Sequence, residues 1–468
     1  MGSRSSSVLA LVFPALLFAT PLLAQPRQSL ADPVARPGSA SIPGVLLSPE
    51  HSKLLLMEQT AATGEAAGRR TYSALIVQPI GRGETRRLIL PWKARVKGVF
   101  WSPDGDRVGF TIQEEHGTSL WVGDAYSGVI RMLAGPVLHS SGGEPCQWLH
   151  SGESLLCTRT PVYASDSGAV QASPESQESQ LVIYPVSGSE RSIGAPANYG
   201  EISISPDGKY LVVEKRERTP GTVRTEVWDA ANGAVLRAVT NTGLTRSRSS
   251  ASDAVVPGPR SLEWRGDKPA TLVWAEAQDG GNPATPAKVR DRLYQLESPF
   301  SGVPAPFADL EFRSRGIVWG GNDLAVVSES WSEPRKARSW IVKPDRGGAP
   351  RLLQGTTGRG AEAGSFLTRQ KRDGGEVLLT AREGRVAYLL GSEKEPGGDR
   401  SYMDEIDLAT GKTLRIWRSQ APFREEIVGV VDAEEGRFIT RRESDTQTQN
   451  YFLRDLKKQK LTALTSFR

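Results

Sequence analysis

Serine, histidine and aspartate are the residue types from which a hydrolase builds its nucleophile, and this sequence contains all three. On an α/β-hydrolase scaffold the serine sits on a Gly-x-Ser-x-Gly elbow, followed along the chain by an acid and then a histidine. No such elbow occurs: Gly117-Thr118-Ser119 and Gly152-Glu153-Ser154 open the pattern but reach Trp121 and Leu156 where glycine is required. The four histidines, His51, His116, His139 and His150, all lie in the first third of the chain, so none can act as a late base. Four scattered histidines and two cysteines also lack paired metal-ligand spacing, and neither metal nor cofactor is expected. Asp104, Asp207 and Asp267 could form a carboxylate ring, but each stands in a turn, where aspartate is expected to bond its own backbone. Gly355–Gly360 is glycine-rich without the lysine of a phosphate loop. These residues describe a binding or gating body.

The elements that would carry them repeat. Phe100-Trp101-Ser102-Pro103-Asp104-Gly105 with its following strand is echoed by Ser203-Ile204-Ser205-Pro206-Asp207-Gly208, and Leu47-Ser48-Pro49-Glu50-His51 is a degenerate copy. In Ser-Pro-Asp-Gly, proline presets φ, aspartate bonds the backbone and glycine takes positive φ. A second theme joins a strand to a turn ending in glycine: Trp121-Val122-Gly123-Asp124 to Gly128, Val227-Trp228-Asp229 to Gly233, and Ile406-Asp407 to Gly411. One hairpin of each kind makes a four-stranded unit, and such units in series close into a β-propeller. First strands begin near Val45, Gly98, Cys146, Glu201, Ser261, Gly316, Phe366 and Gly429. The fold class is therefore all-β, a propeller of about eight blades, alternatively seven. Ala164–Gln180 and Thr242–Pro257 interrupt the rhythm and read as loops.

Across 468 residues, 48 Gly and 31 Pro agree with many short elements. The net charge of +5, with no basic stripe between aromatics, argues against a nucleic-acid partner. Residues 1–24 read as an export signal, with Arg4 before the apolar run Val8–Leu23; an uncleaved anchor fits less well because the run is short and contains Pro14 and Pro21. Residues 25–44 form a linker and residues 45–468 the propeller domain. Such a chain is periplasmic or secreted, and not membrane-bound once the signal is removed. Cys146 and Cys157 fall opposite one another if Ser151-Gly152 centres a hairpin turn. They form either a disulfide or two small buried thiols.

The most specific stretch is Gly258–Gly281, GPRSLEWRGDKPATLVWAEAQDGG, two tryptophan-bearing strands around the turn Arg265–Pro269. Trp264, Arg265, Asp267, Lys268, Pro269, Trp274, Glu276, Gln278, Asp279, Gly280 and Gly281 resemble, in order, a segment in the N-terminal propeller of the glutamyl endopeptidases of the prolyl oligopeptidase family. Val289–Tyr294, Leu324–Trp331 and Arg338-Ser339-Trp340 continue the resemblance, which covers roughly Val45 to Phe467. It implies a serine endopeptidase that cleaves after acidic residues, in which a propeller caps an α/β-hydrolase domain and filters peptide or protein substrates. That catalytic domain is expected after the last blade, and the sequence stops at Arg468, about where it would begin. No catalytic residue carries over. A separately encoded hydrolase domain is the expected partner; the alternative is a free-standing scaffold like the TolB propellers. Arg260, Arg265, Lys268, Arg335 and Arg338 are candidates for drawing acidic peptides. The competing reading makes them turn charges, or structural pairs with Asp267 and Glu329.

Overall fold

A computed structural model describes residues 44–59, 71–139, 144–165, 168–171, 177–217, 222–243, 253–357, 364–371, 374–395 and 398–467. The export signal and nearly all of the linker lie outside these residues; Gly44, assigned above to the linker, opens the first strand, Gly44–Leu47. Among the described residues the secondary structure is strand and turn, with antiparallel pairing throughout. Four-strand units follow one another at residues 44–87, 96–138, 146–197, 199–243, 260–310, 313–357, 365–418 and 424–463. The first three share one 12-stranded sheet through single pairings, Tyr72 with Val96 and Arg159 with Leu138. The architecture is a β-propeller.

Side chains alternate between the faces of a strand, so consecutive buried residues mean that both faces are covered. Leu272 and Val273 are both fully buried, as are Val326 and Val327. Each such second strand is sandwiched between neighbouring units, which is why it is continuously apolar. Leu55 and Leu75 of the first unit pack on Val108 and Phe110 of the second. Val45, Leu54 and Leu56 pack on Ile439 and Tyr451 of the last unit, and Gln78 Nε2 donates to Leu464 O at 2.6 Å. First and last units thus meet through side chains, each keeping its own strands.

The Ser-Pro-Asp-Gly turn acts as its chemistry requires. Ser102 Oγ accepts from Arg107 N at 2.9 Å, and Asp104 Oδ1 accepts from Asp106 N at 3.1 Å. Ser205 and Asp207 repeat both bonds at 3.0 and 3.1 Å, and Ser48 Oγ accepts from Lys53 N at 2.9 Å. His51 takes the positive φ, 58°, that Gly105 and Gly208 take at 73° and 70°. The turns also touch around the ring: Lys53 Nζ donates to Gly105 O at 3.1 Å, Arg107 Nη1 to Gly152 O at 3.0 Å, and Asp207 N to Pro269 O at 3.0 Å.

The glycines of the second theme serve packing as well as conformation. A Cβ on Gly128, Gly233 or Gly411 would meet Arg87 O at 2.6 Å, Gly194 N at 2.6 Å or Leu353 O at 2.4 Å. In each case the obstacle is backbone of the preceding unit, so these turns set how closely units approach.

Two loop expectations change. Within Ala164–Gln180, the strand Val162–Ser165 pairs with Gly168–Gln171, and Ser179 and Gln180 begin the strand Ser179–Pro185. Backbone pairing needs no apolar alternation, so the polar text concealed the hairpin. Of Thr242–Pro257, Thr242 and Gly243 end the strand Val235–Gly243, while residues 244–252 lie outside the described set.

Candidate functional site

The Gly258–Gly281 stretch forms the two inner strands of the fifth unit, Arg260–Trp264 and Thr271–Ala277, with Trp264 opposite Leu272. Its turn begins as the other first turns do. Arg265 N bonds Thr271 O at 2.9 Å, as Ser102 N bonds Arg107 O and Ser205 N bonds Tyr210 O. Arg265 therefore stands where those units carry a serine, and all three residues are fully buried. A hydroxyl there reaches only its own turn; a guanidinium reaches farther. Arg265 holds Asp267 through Nε at 3.0 Å and Nη2 at 2.7 Å, then crosses to Asp345 of the sixth unit at 2.7 Å. It also donates to Gln295 at 2.6 Å and lies 4.7 Å from the Trp319 ring centroid. Burial alone would lower its pKa, but the hydrogen bonds it donates to Asp267 and Asp345 hold it above the ordinary value. Lys268 joins the same Asp345 at 2.9 Å.

A second cluster links these units at their other end. Arg313 donates to Asp279 at 2.7 Å and to Asp291 at 3.0 Å, and all three side chains are buried. Arg290 also holds Asp279 at 2.9 Å, and Arg260 pairs with Asp291. Burial pushes the Asp279 carboxyl upward, but Arg290 and Arg313 overcome this and hold it below its usual range; Arg265 and Lys268 do the same for Asp345. Burial keeps Arg260 below its usual value despite Asp291. Arg338 contacts Glu329 at 3.4 Å and Glu311 at 2.7 Å, and stacks 4.0 Å from the Phe312 centroid. Arg335 is exposed.

The five basic candidates thus fall into separate environments. Arg265 and Lys268 converge on one carboxylate, whereas Arg260 and Arg338 belong to different pairs. Arg313, Asp291 and Asp345 complete these networks and were missed from sequence. The available signal was the substitution of arginine for the buried turn serine, which demands a distant acid. Cys146 and Cys157 are directly paired in register and joined by a disulfide. Among the described residues no group of histidine, cysteine or acid side chains could hold a metal ion.

A further element was not foreseen. Between the seventh unit's inner strand Ser365–Phe366 and its second strand Val386–Glu393, the chain makes an extra hairpin, Thr368–Gln370 with Glu376–Leu378. A Cβ on Gly266 would strike Glu376 O at 1.8 Å, and one on Gly374 would strike the His150 ring at 2.0 Å. Gln370 shares a cavity of about 280 Å³ with Trp101, Trp148 and Pro103. This hairpin therefore reaches from the seventh unit to the first-turn ends of the second, third and fifth.

No protein-family model matches the chain. A protein from Oryza sativa subsp. japonica named "Probable glutamyl endopeptidase, chloroplastic" is 28% identical over 443 residues, covering 81% of this chain and 47% of that protein. One of the same name from Arabidopsis thaliana is 30% identical over 448 residues, covering 81% and 46%. The chain spans about half the length of these relatives. Among solved structures, a prolyl endopeptidase superposes with TM-score 0.47 at 12% identity, over 87% of this chain and 55% of that one. The β-propeller domain of the Trilobed protease from Pyrococcus furiosus gives 0.42 at 12%, over 80% and 99%.

Proposed function

Because this chain is a relative of the glutamyl endopeptidases over 81% of its length, we propose that it is the substrate-admitting propeller of a serine endopeptidase of the prolyl oligopeptidase family. Bond cleavage falls to an α/β-hydrolase domain, separately encoded or otherwise outside these residues, and this chain contributes no catalytic group. The observation that carries the reading is the alignment with named endopeptidases over 81% of a sequence without a Gly-x-Ser-x-Gly elbow. We take each four-strand unit as one blade, which makes eight, the first and last closing the ring through their shared apolar cluster. The hairpin across several first turns supports a role in restricting passage.

Substrates are peptides or proteins with acidic side chains. Of the five basic candidates, exposed Arg335 and Lys268, whose side chain is 35% exposed, are placed to meet them; Arg260, Arg265 and Arg338 act through the pairs they hold. The mature chain is assigned to the periplasm or the cell exterior, a compartment that permits the Cys146–Cys157 disulfide.

The test is reconstitution. The coding region after the Arg468 codon, or a neighbouring gene, is searched for a hydrolase domain, which is then expressed with this chain and assayed on peptides containing glutamate or glutamine. Expected are cleavage after glutamate only when both parts are present, and no labelling of this chain alone by a serine-directed fluorophosphonate. Labelling of the chain alone, or a hydrolase domain whose activity and size selection ignore the propeller, overturns the reading.

A further inference from the structure

The seventh and eighth units enclose a cleft of about 490 Å³ where the outer strand Thr413–Arg418 passes to the inner strand Arg424–Asp432. Trp417 and Phe423 line it, and Arg418, Arg442, Arg454 and Glu425 border it. The three arginines are unequally matched. Arg454 Nη2 lies 2.8 Å from each oxygen of Glu425, and Thr440 Oγ1 donates to the same carboxylate at 2.7 Å, so Glu425 is fully engaged. Arg418 pairs with Glu393 at 3.2 Å and with Glu395.

Arg442 has no such partner. Among the described residues its side chain forms no ion pair or hydrogen bond, and its Nε is buried without an acceptor. Two rings hold it instead, with the Phe423 centroid at 3.3 Å and that of Phe452 at 5.5 Å. Stacking satisfies the faces of a guanidinium but leaves its in-plane N–H donors unmet. The fold thus fixes the plane of a guanidinium whose Nε is buried and leaves its edge unanswered beside a cleft.

We propose that this cleft is a carboxylate-binding site, with Arg442 as the anion-binding residue and Trp417 as an apolar wall. A planar guanidinium matches a carboxylate edge to edge. One uncompensated cation beside the occupied Glu425 suits a single negative charge better than a phosphate dianion. The volume falls within the roughly 300–1,000 Å³ of small-ligand sites and would admit one acidic residue of a peptide. The carboxylate can come from a glutamate side chain or from a peptide C-terminus. This site stands independently of the peptidase reading, since it needs no catalytic partner.

Isothermal titration of the full chain provides the test, with acetyl-Ala-Glu-Ala-amide, acetyl-Ala-Ala-Ala with a free C-terminus, acetyl-Ala-Gln-Ala-amide and inorganic phosphate as probes. At least one carboxylate peptide is expected to bind ten-fold or more tightly than the neutral one. Preference for the first assigns a side-chain carboxylate, and preference for the second a terminal one. Arg442→Gln should weaken that binding at least ten-fold, whereas Arg346→Gln, at a 75% exposed side chain of the sixth unit, should leave it unchanged. Should Arg442→Gln fail to fold, Arg442→Lys keeps the charge without the fork and is expected to bind several-fold more weakly. Carboxylate peptides no tighter than the neutral one, phosphate tighter than both, or binding indifferent to Arg442 overturns the proposal.

Discussion

Two junctions of the ring use the same materials to different ends. Between the fifth and sixth units, Arg265 stacks on Trp319 and Arg290 on Trp331, and each also meets a carboxylate within 3 Å. Between the seventh and eighth, Arg442 stacks on Phe423 but meets no acid among the described residues. An aromatic ring orients a guanidinium in both places; the carboxylate decides what the charge is for. Where acids saturate it, arginine fastens two units together. Where they do not, it remains able to bind.

The sharpest way to break this contrast is Arg313→Met. It takes from the buried carboxylates of Asp279 and Asp291 the one arginine they share, leaving Asp279 only Arg290 and Asp291 only Arg260, and should cost about 3 kcal/mol, read from the denaturant midpoint. A loss below about 1 kcal/mol would show that the network does not fasten the units. Asp345→Asn is expected to cost about 1–3 kcal/mol, because Arg265 keeps Asp267 and Gln295. Acid should act on the same junction. Asp279 and Asp345 have folded pKa values below the ordinary carboxylate range, so their stabilisation is full above the unfolded value, about 3.9, and fades as pH falls through the lower folded values. Thermal unfolding followed downward from pH 5 should show this loss, and Asp279→Asn should flatten it. The smallest effect belongs to the other junction. Arg442→Met keeps an apolar stem between the rings and removes no ion pair, so its unfolding free energy should stay within about 0.5 kcal/mol of the parent. A cost near that of Arg313→Met would erase the distinction.

Much of the fold was legible because its signals are local. Ser102, Asp104, Ser205 and Asp207 bond within their own turns, so the motif suffices to place a hairpin. Each first-strand start read from the sequence falls within an observed inner strand, from Gly44–Leu47 to Arg424–Asp432. The candidate site was legible only in part. Arg265 and Lys268 were singled out, but Asp345 lies 80 positions from Arg265 and Asp279 lies 34 from Arg313, and no local pattern pairs such residues. The hairpin Thr368–Gln370 with Glu376–Leu378 was missed because it breaks the repeat rather than continuing it.

The sequence by itself determined an all-β repeat chain, the chemistry of its turns and its resemblance to the glutamyl endopeptidases, since all three reside in short contiguous text. Only the tertiary structure decided which charges are matched. Closing a ring brings together side chains from separate units, and whether an arginine meets an acid there depends on distances that adjacency along the chain does not encode. Gly258–Gly281 therefore proves to be a fastening between units, while the cation left unmatched, Arg442, lies in a stretch that carried no signal of its own.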